Sequence, residues 1–329
     1  MNEEYSMTDL IASKGASVTA GAEPCLLRSA SVSRGANSSA GFTLLELLVV
    51  IASLGLLVLT LAPALARTAH NGEAYQCLNN QRQLATAWRQ WSADNNDYLL
   101  TCEGTKAAPR VGPNWDTRPN WMVGALNSSA SNPSNYDPAQ DILQSPIWPY
   151  TGGATFFKCP ADRSTIMLSS PWNGNPTGTR VPRVRSYSMS QVFGRGEWLD
   201  GTLNAFSLYW RTYGKGSEIV IPAKTFLFMD EHPGSINDGA FACCCTTNQP
   251  ADPPSSAKLI DMPGNLHNGG CSLSFADNHV EIHKWRSPYL KNLPNNDGSY
   301  PPLNITIGSL DPLGYLDARW LAERTTVAK

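Results

Sequence analysis

The sequence predicts an α+β fold: a long kinked N-terminal helix, with a membrane half and an amphipathic half, packed on an antiparallel β-sheet head with long loops. Three observations carry this. Residues 47–66 contain no charged side chain. Just beyond them, Leu78, Leu84, Ala85, Trp88 and Trp91 fall on one helical stripe with a polar back. After Asp97 the apolar runs become short, as in "TFLFMDE" and "HVEIHKW", and alternate with stretches rich in Pro, Gly, Asn and Trp.

The elements follow in order. Residues 1–41 are rich in Ser, Ala and Gly, without sustained periodicity, and read as a leader that is removed. Residues 42–66 form the apolar half of the helix, and its uncharged run 47–66 alone rises about 30 Å, enough to span a membrane. Arg28 and Arg34 precede it, and Arg67, Arg82 and Arg89 follow, so positive charge alone does not orient it. Pro63 lies inside and should kink the helix. Residues 67–97 are the amphipathic half, ending where Asn and Asp cluster near 94–96. Residues 98–329 make the β-rich head, which includes a hairpin region at 262–286.

Composition narrows the function. Charged residues are 16% of the chain and the net charge is -2, so electrostatics offer no case for nucleic acid. Eight cysteines are present, and the absence of a Cys-x-x-Cys pair argues against a zinc ribbon. Glu46 stands out in the apolar run, where a bilayer-buried carboxylate costs roughly 2.5–3.5 kcal/mol. It needs a partner, unless it snorkels to an interface at the helix end.

The stretch "GFTLLE" at 41–46, followed by the uncharged run, resembles the processing site of type IV prepilins and type II secretion pseudopilins. The resemblance implies that a prepilin peptidase cuts between Gly41 and Phe42 and methylates the new amine. It implies that Glu46 neutralises that amine on a neighbouring subunit, and that Pro63 is the kinking proline of many pilins. A second resemblance covers most of the head. "KCPAD" at 158–162, "RSYSMS" at 185–190, "DEHPGSINDGAF" at 230–241 and "HNGGCSLSFADNHVEIHKW" at 267–285 are similar to a prepilin-associated C-terminal domain with a His-x9-Asp-Gly signature. His267 and Asp277 match that spacing, and Asn278 stands in place of the usual Gly. This domain carries no activity over to the chain.

Read physically, Asp277-Asn278 is a two-residue type I′ hairpin turn, which pairs Phe275 with Val280 and Leu273 with Ile282. Those four would form a core face and Ser272, Ser274, His279, Glu281 and His283 a polar one. His279, Glu281 and His283 alternate as zinc ligands can, or they form a solvated strand face. His267 and Asp277 are expected to hydrogen-bond and hold the hairpin to its approach loop. Asp230, Glu231 and Asp238 follow a strand in an acidic block that could hold calcium as a cofactor or simply cap turns. Cys77 with Cys159 is the expected disulfide, although spacing alone cannot select a connectivity.

The leading functional reading is a non-enzymatic structural subunit, a pseudopilin or minor pilin. Its expected partners are the prepilin peptidase, other pilin subunits and an inner-membrane assembly platform. Its expected place is the bacterial inner membrane, single-pass, with a short cytoplasmic N-terminus and a periplasmic head. The competing readings are a membrane-tethered module that binds polysaccharide or a secreted protein, and a tethered metallohydrolase. No Ser/His/Asp or Cys/His set at recognisable spacing supports catalysis.

Overall fold

The computed structural model describes residues 42–102, 118–246, 254–294 and 302–329, without the side chains of 60–71. The chain forms two compact units, Met1–Leu57 and Val58–Lys329.

Helix α1 runs over Leu44–Asp94. Its start, in the first unit, is a reciprocal cap. Thr43 donates through N and Oγ1 to Glu46 Oε2, both at 2.9 Å, and Glu46 N donates back to Thr43 Oγ1 at 3.2 Å. The apolar side chains that follow, from Leu44 to Leu59, are exposed. In the second unit the helix changes character. Cys77, Gln81, Leu84, Ala85, Trp88 and Trp91 are buried, at spacings of three, four and seven that keep them on one face. The helix ends where Asn96 and Asp97 take positive φ, and Asp97 N closes back on Ser92 O at 2.9 Å.

That face covers a five-stranded sheet of order β5-β3-β4-β6-β7. Its strands are β3 (Tyr187–Ser190), β4 (Phe226–Asp230), β5 (Ala240–Phe241), β6 (Gly270–Phe275) and β7 (Val280–Lys284). A separate two-stranded sheet pairs β1 (Thr165–Met167) with β2 (Arg180–Pro182). On the α1 side, Leu84 and Trp88 share a core with Tyr187, Met189, Phe193 and Phe228. On the opposite side, Met229, Phe241, Cys271, Leu273 and Phe275 pack with Trp285 and with Leu321 of the C-terminal helix Gly314–Ala322. Each large side chain fully withdrawn from water contributes roughly 1.5–3 kcal/mol, so two apolar cores make this sheet the centre of the unit.

A bulge in β4 decides which side chains face α1. The register against β6 shifts between Phe226 and Phe228. Strict alternation would send residues 226, 228 and 230 to one side. Instead Phe226 and Met229 join the far core, while Leu227 and Phe228 join the α1 core. Asp230 is therefore delivered to the α1 side, opposite Tyr187.

The expected fold class is corrected by these observations. Among the described residues no helix is long and apolar enough to cross a membrane. Nor is the sheet purely antiparallel, because β3 and β5 run parallel through Met189 and Ala240. The architecture is a two-stranded and a mixed five-stranded sheet with short helices around them. Pro63 lies in the stretch whose side chains fall outside the described ones, as Gly41 falls outside the described residues.

The hairpin is corrected as well. Ser274 pairs with Val280 and Leu273 with Glu281, one residue away from the expected register. The turn is three residues long: Asn278 N donates to Phe275 O at 2.9 Å, Phe275 N donates to His279 O at 3.0 Å, and Asn278 has φ +78°. A slip of one residue exchanges faces. Leu273 and Phe275 thus share a side with Glu281 and His279, and Ser272 and Ser274 lie buried beneath α1.

Candidate metal centre

Beneath α1, where the helix crosses the ends of β3, β4 and β6, Cys77, Cys159 and His267 converge. One donor atom from each lies within 4.8 Å of the others, and all three side chains are buried. This group can hold a metal ion.

Each member is set by its own local structure. Cys77 belongs to the buried stripe of α1, one turn before Gln81. Gln81 donates to Ser272 O and Ser272 Oγ, and accepts from Ser274 Oγ at 3.0 Å, which holds the helix on β6. Cys159 opens the turn "CPAD", in which Asp162 N bonds Cys159 O at 3.0 Å and Pro160 occupies the position that favours its fixed φ. Cys159 N donates to Ser186 Oγ at 3.1 Å, and that hydroxyl donates to Asp162 Oδ2 at 2.6 Å. His267 precedes Asn268 (φ +53°) and Gly269 (φ +70°), two left-handed residues that turn the chain into β6, with His267 N bonded to Gly270 O at 3.1 Å.

The atoms around this trio are polar and short-range. His267 Nε2 lies 3.4 Å from Cys159 Sγ and 3.6 Å from Asp230 Oδ2. Cys77 Sγ lies 3.1 Å from Tyr187 Oη and 3.0 Å from Ser272 Oγ. Asp230 is fully buried; its Oδ1 accepts from Ser272 N and Ser272 Oγ, while Oδ2 has no hydrogen-bond partner. Gly264 lets this carboxylate in, since a Cβ there would stand 2.9 Å from both Asp230 O and Oδ2.

The electrostatics favour a thiolate at one sulfur. Burial raises the Cys77 thiol, but the Cys159 and His267 groups beside it outweigh burial and lower it to about 5. Cys159 moves the other way, raised by burial and by the neighbouring Cys77. Burial pushes Asp230 up to about 7 against the pull of His267.

The expected site residues are distributed differently. Cys77 and Cys159 are brought together as thiols, with no disulfide between them. His267 does not meet Asp277. Asp277 Oδ1 instead bonds His279 Nδ1 at 2.5 Å on the surface, because the three-residue turn leaves Asp277 at its tip. His279 stacks on Phe275 at 4.1 Å, and His283 on Trp320 at 3.5 Å. With Glu281 they form no compact ligand group among the described residues. The acidic block does not converge on calcium either. Glu231 bonds Ser188 and Ser235, Asp238 turns to Ala240 N, and Asp230 joins the thiol site. Glu231 and Asp238 are used by hydroxyls and a backbone amide and Asp230 lies beside His267, so the three do not gather the oxygen cage that calcium requires.

Tyr187 was not among the expected site residues; Asp230 was expected with Glu231 and Asp238, and Ser272 on a polar strand face, neither beside Cys77 and Cys159. The available signals were the four short blocks themselves, which all meet here, and Asn268-Gly269, a type I′ pair preceding an apolar strand. Comparison with family models, with curated proteins and with solved structures finds no match for this chain.

Proposed function

We propose that the chain is a prepilin-like structural subunit, processed between Gly41 and Phe42 by a prepilin peptidase. It is then assembled through its N-terminal helix into a type II secretion or type IV pilus-like filament. The observation that carries this reading is the stretch "GFTLLE" opening a helix whose following apolar side chains, Leu44 to Leu59, are exposed. An exposed apolar helix of this length calls for a covering surface, and neighbouring copies of the same helix supply one. Glu46, at the start of that helix, is placed in sequence to meet a neighbour's new amine, an attraction that strengthens as water is excluded. In this reading the head is delivered to the periplasmic side and its role is structural, not catalytic.

Mass spectrometry of the chain from native membranes tests the proposal. A mature chain beginning at methylated Phe42 is expected. Gly41→Leu should leave the longer precursor, since a bulky side chain does not fit a small-residue subsite. An uncut native chain, or full cutting of the Gly41→Leu variant, would sink the reading.

A further inference from the structure

We propose that Cys77, Cys159, His267 and Asp230 form a closed structural site for a zinc-class cation that clamps helix α1 to the signature loop of the head. The inference is independent of filament assembly.

The donor set selects the ion class. Two thiols and an imidazole suit a borderline-soft ion such as Zn2+, whereas calcium and magnesium require oxygen ligands. The spacing fits as well. Around tetrahedral zinc, bonds of about 2.3 Å to sulfur and 2.0–2.1 Å to nitrogen put an S and an N ligand about 3.6 Å apart. Cys159 Sγ and His267 Nε2 already stand 3.4 Å apart.

A second observation points to a cation. Asp230 Oδ2 is fully buried, lacks a hydrogen-bond partner and lies 3.6 Å from His267 Nε2. An unsatisfied buried carboxylate oxygen costs about 1–3 kcal/mol or more, and a shared cation removes that cost by making Oδ2 the fourth ligand. The β4 bulge and Gly264 are the features that bring it there. Around the other end of the site, the hydroxyl of Tyr187, 3.1 Å from Cys77 Sγ, donates to a ligating thiolate and orients it, while the Ser272 hydroxyl beside it donates to Asp230 Oδ1.

Burial assigns the role. Cys77, Cys159 and Asp230 are 0% exposed and His267 is 1% exposed. Such a site leaves no open position for substrate or exchanging water, which is the mark of a structural ion. Its ligands come from α1, the "KCPAD" turn, β4 and the loop before β6, so one ion ties together four segments far apart in the chain.

The test uses the full chain, purified in detergent without added chelator, and measures metal by elemental mass spectrometry. About one equivalent of zinc per chain is expected. Cys159→Ser and Asp230→Asn should each lower bound zinc at least about ten-fold, while Cys271→Ser, a buried thiol of the opposite core, should leave it unchanged. Reconstitution with Co2+ should give the thiolate-to-metal absorption of a tetrahedral site, lost in Cys159→Ser. The unsubstituted chain decides the matter even where a variant fails to fold. A folded, metal-free chain with Cys77 and Cys159 alkylated as free thiols would overturn the site, as would a Cys77–Cys159 disulfide in peptide maps of native material. Zinc retained in full by both Cys159→Ser and Asp230→Asn would overturn it equally.

Discussion

Arg185 donates through Nε to Asp141 Oδ2 at 2.8 Å, and both side chains are fully buried. The rest of the guanidinium is used as well, with bonds to Tyr187 O at 3.2 Å and Asp238 O at 2.6 Å. Asp141 Oδ1 in turn accepts from the backbone N of Gly124 and Val123. One ion pair thus joins the loops around 124, 141 and 238 to the entrance of β3. Removing one partner leaves the other charge buried and unpaired. Asp141→Ala should cost about 3–5 kcal/mol in urea unfolding of the head. Arg185→Lys should also be severe, because an ammonium cannot reproduce the planar fork. A loss below about 1 kcal/mol in Asp141→Ala would mean that the pair is not desolvated as described.

The signature turn offers a second measurement. Asn278 is held at φ +78°, the conformation that costs an ordinary L residue about 1–2 kcal/mol. Its side chain meets Thr86 of α1, with Nδ2 to Thr86 Oγ1 at 3.2 Å. Asn278→Gly relieves the backbone but loses that contact, so its stability should stay within about 0.5 kcal/mol of the parent. Asn278→Ala loses the contact and keeps the strain, and should fall about 1–2 kcal/mol below the Gly variant. Equal stabilities for the two variants in thermal unfolding would count against a left-handed residue at this position.

These cases mark what the residues disclose before folding. Of the stripe Leu78, Leu84, Ala85, Trp88 and Trp91, the structure buries the last four, where helical period and burial coincide, and leaves Leu78 half-buried beside Cys77. The end of α1 near 94–96 is legible because Asn tolerates left-handed backbone. The hairpin register was not, since two-residue and three-residue turns differ only in how Ala276 is used, and that single step exchanges the faces of β6. Asp230 was hidden for a related reason: the β4 bulge breaks the alternation by which a strand residue's side is read. Ser272 and Ser274 read as a wet face because nothing local says that Gln81 will cover them. The four short blocks were recognisable as blocks; their meeting point depends on pairings more distant than any spacing rule reaches.

Acidic stability depends on a buried carboxyl in the loop that packs beside the end of β5. Asp261 is buried, accepts from Ala242 N at 2.6 Å and is pushed up to about 8, by burial first and by the nearby Asp238 charge, with the Ala242 bond opposing. An unfolded Asp titrates near about 3.9. Between those values the folded chain keeps a proton that the unfolded chain has lost. The stabilising contribution is therefore full below about pH 4, declines as pH rises and is gone by about pH 8. Glu231, raised by burial and by Asp261, adds in the same direction. Asp261→Asn keeps a group that can accept from Ala242 and removes one titration. Its unfolding free energy from urea titration should fall less than the parent's between pH 5 and 8, by up to about 1.4 kcal/mol per pH unit. Parallel pH profiles would show that Asp261 is ionised in the folded state.

Glu46 caps α1, and three substitutions separate that role from the one it has in the proposed filament. Within the single chain its carboxylate caps α1, accepting two bonds from Thr43. In the proposed filament it also neutralises the amine of a neighbour's Phe42. Thr43→Val removes the hydroxyl half of the cap and leaves the charge, and should weaken the helix start by about 0.5–2 kcal/mol. Glu46→Gln keeps an acceptor for Thr43 and removes the charge. Glu46→Ala removes both. If charge pairing drives assembly, incorporation should collapse in Glu46→Gln as fully as in Glu46→Ala, while Thr43→Val still assembles. If Glu46 serves only as a cap, Glu46→Gln should assemble normally and Thr43→Val should track Glu46→Ala. Co-purification of each variant with a differently tagged wild-type copy reads the difference directly. The decisive comparison is Glu46→Gln, because the capping geometry can survive in it and the opposite charge cannot.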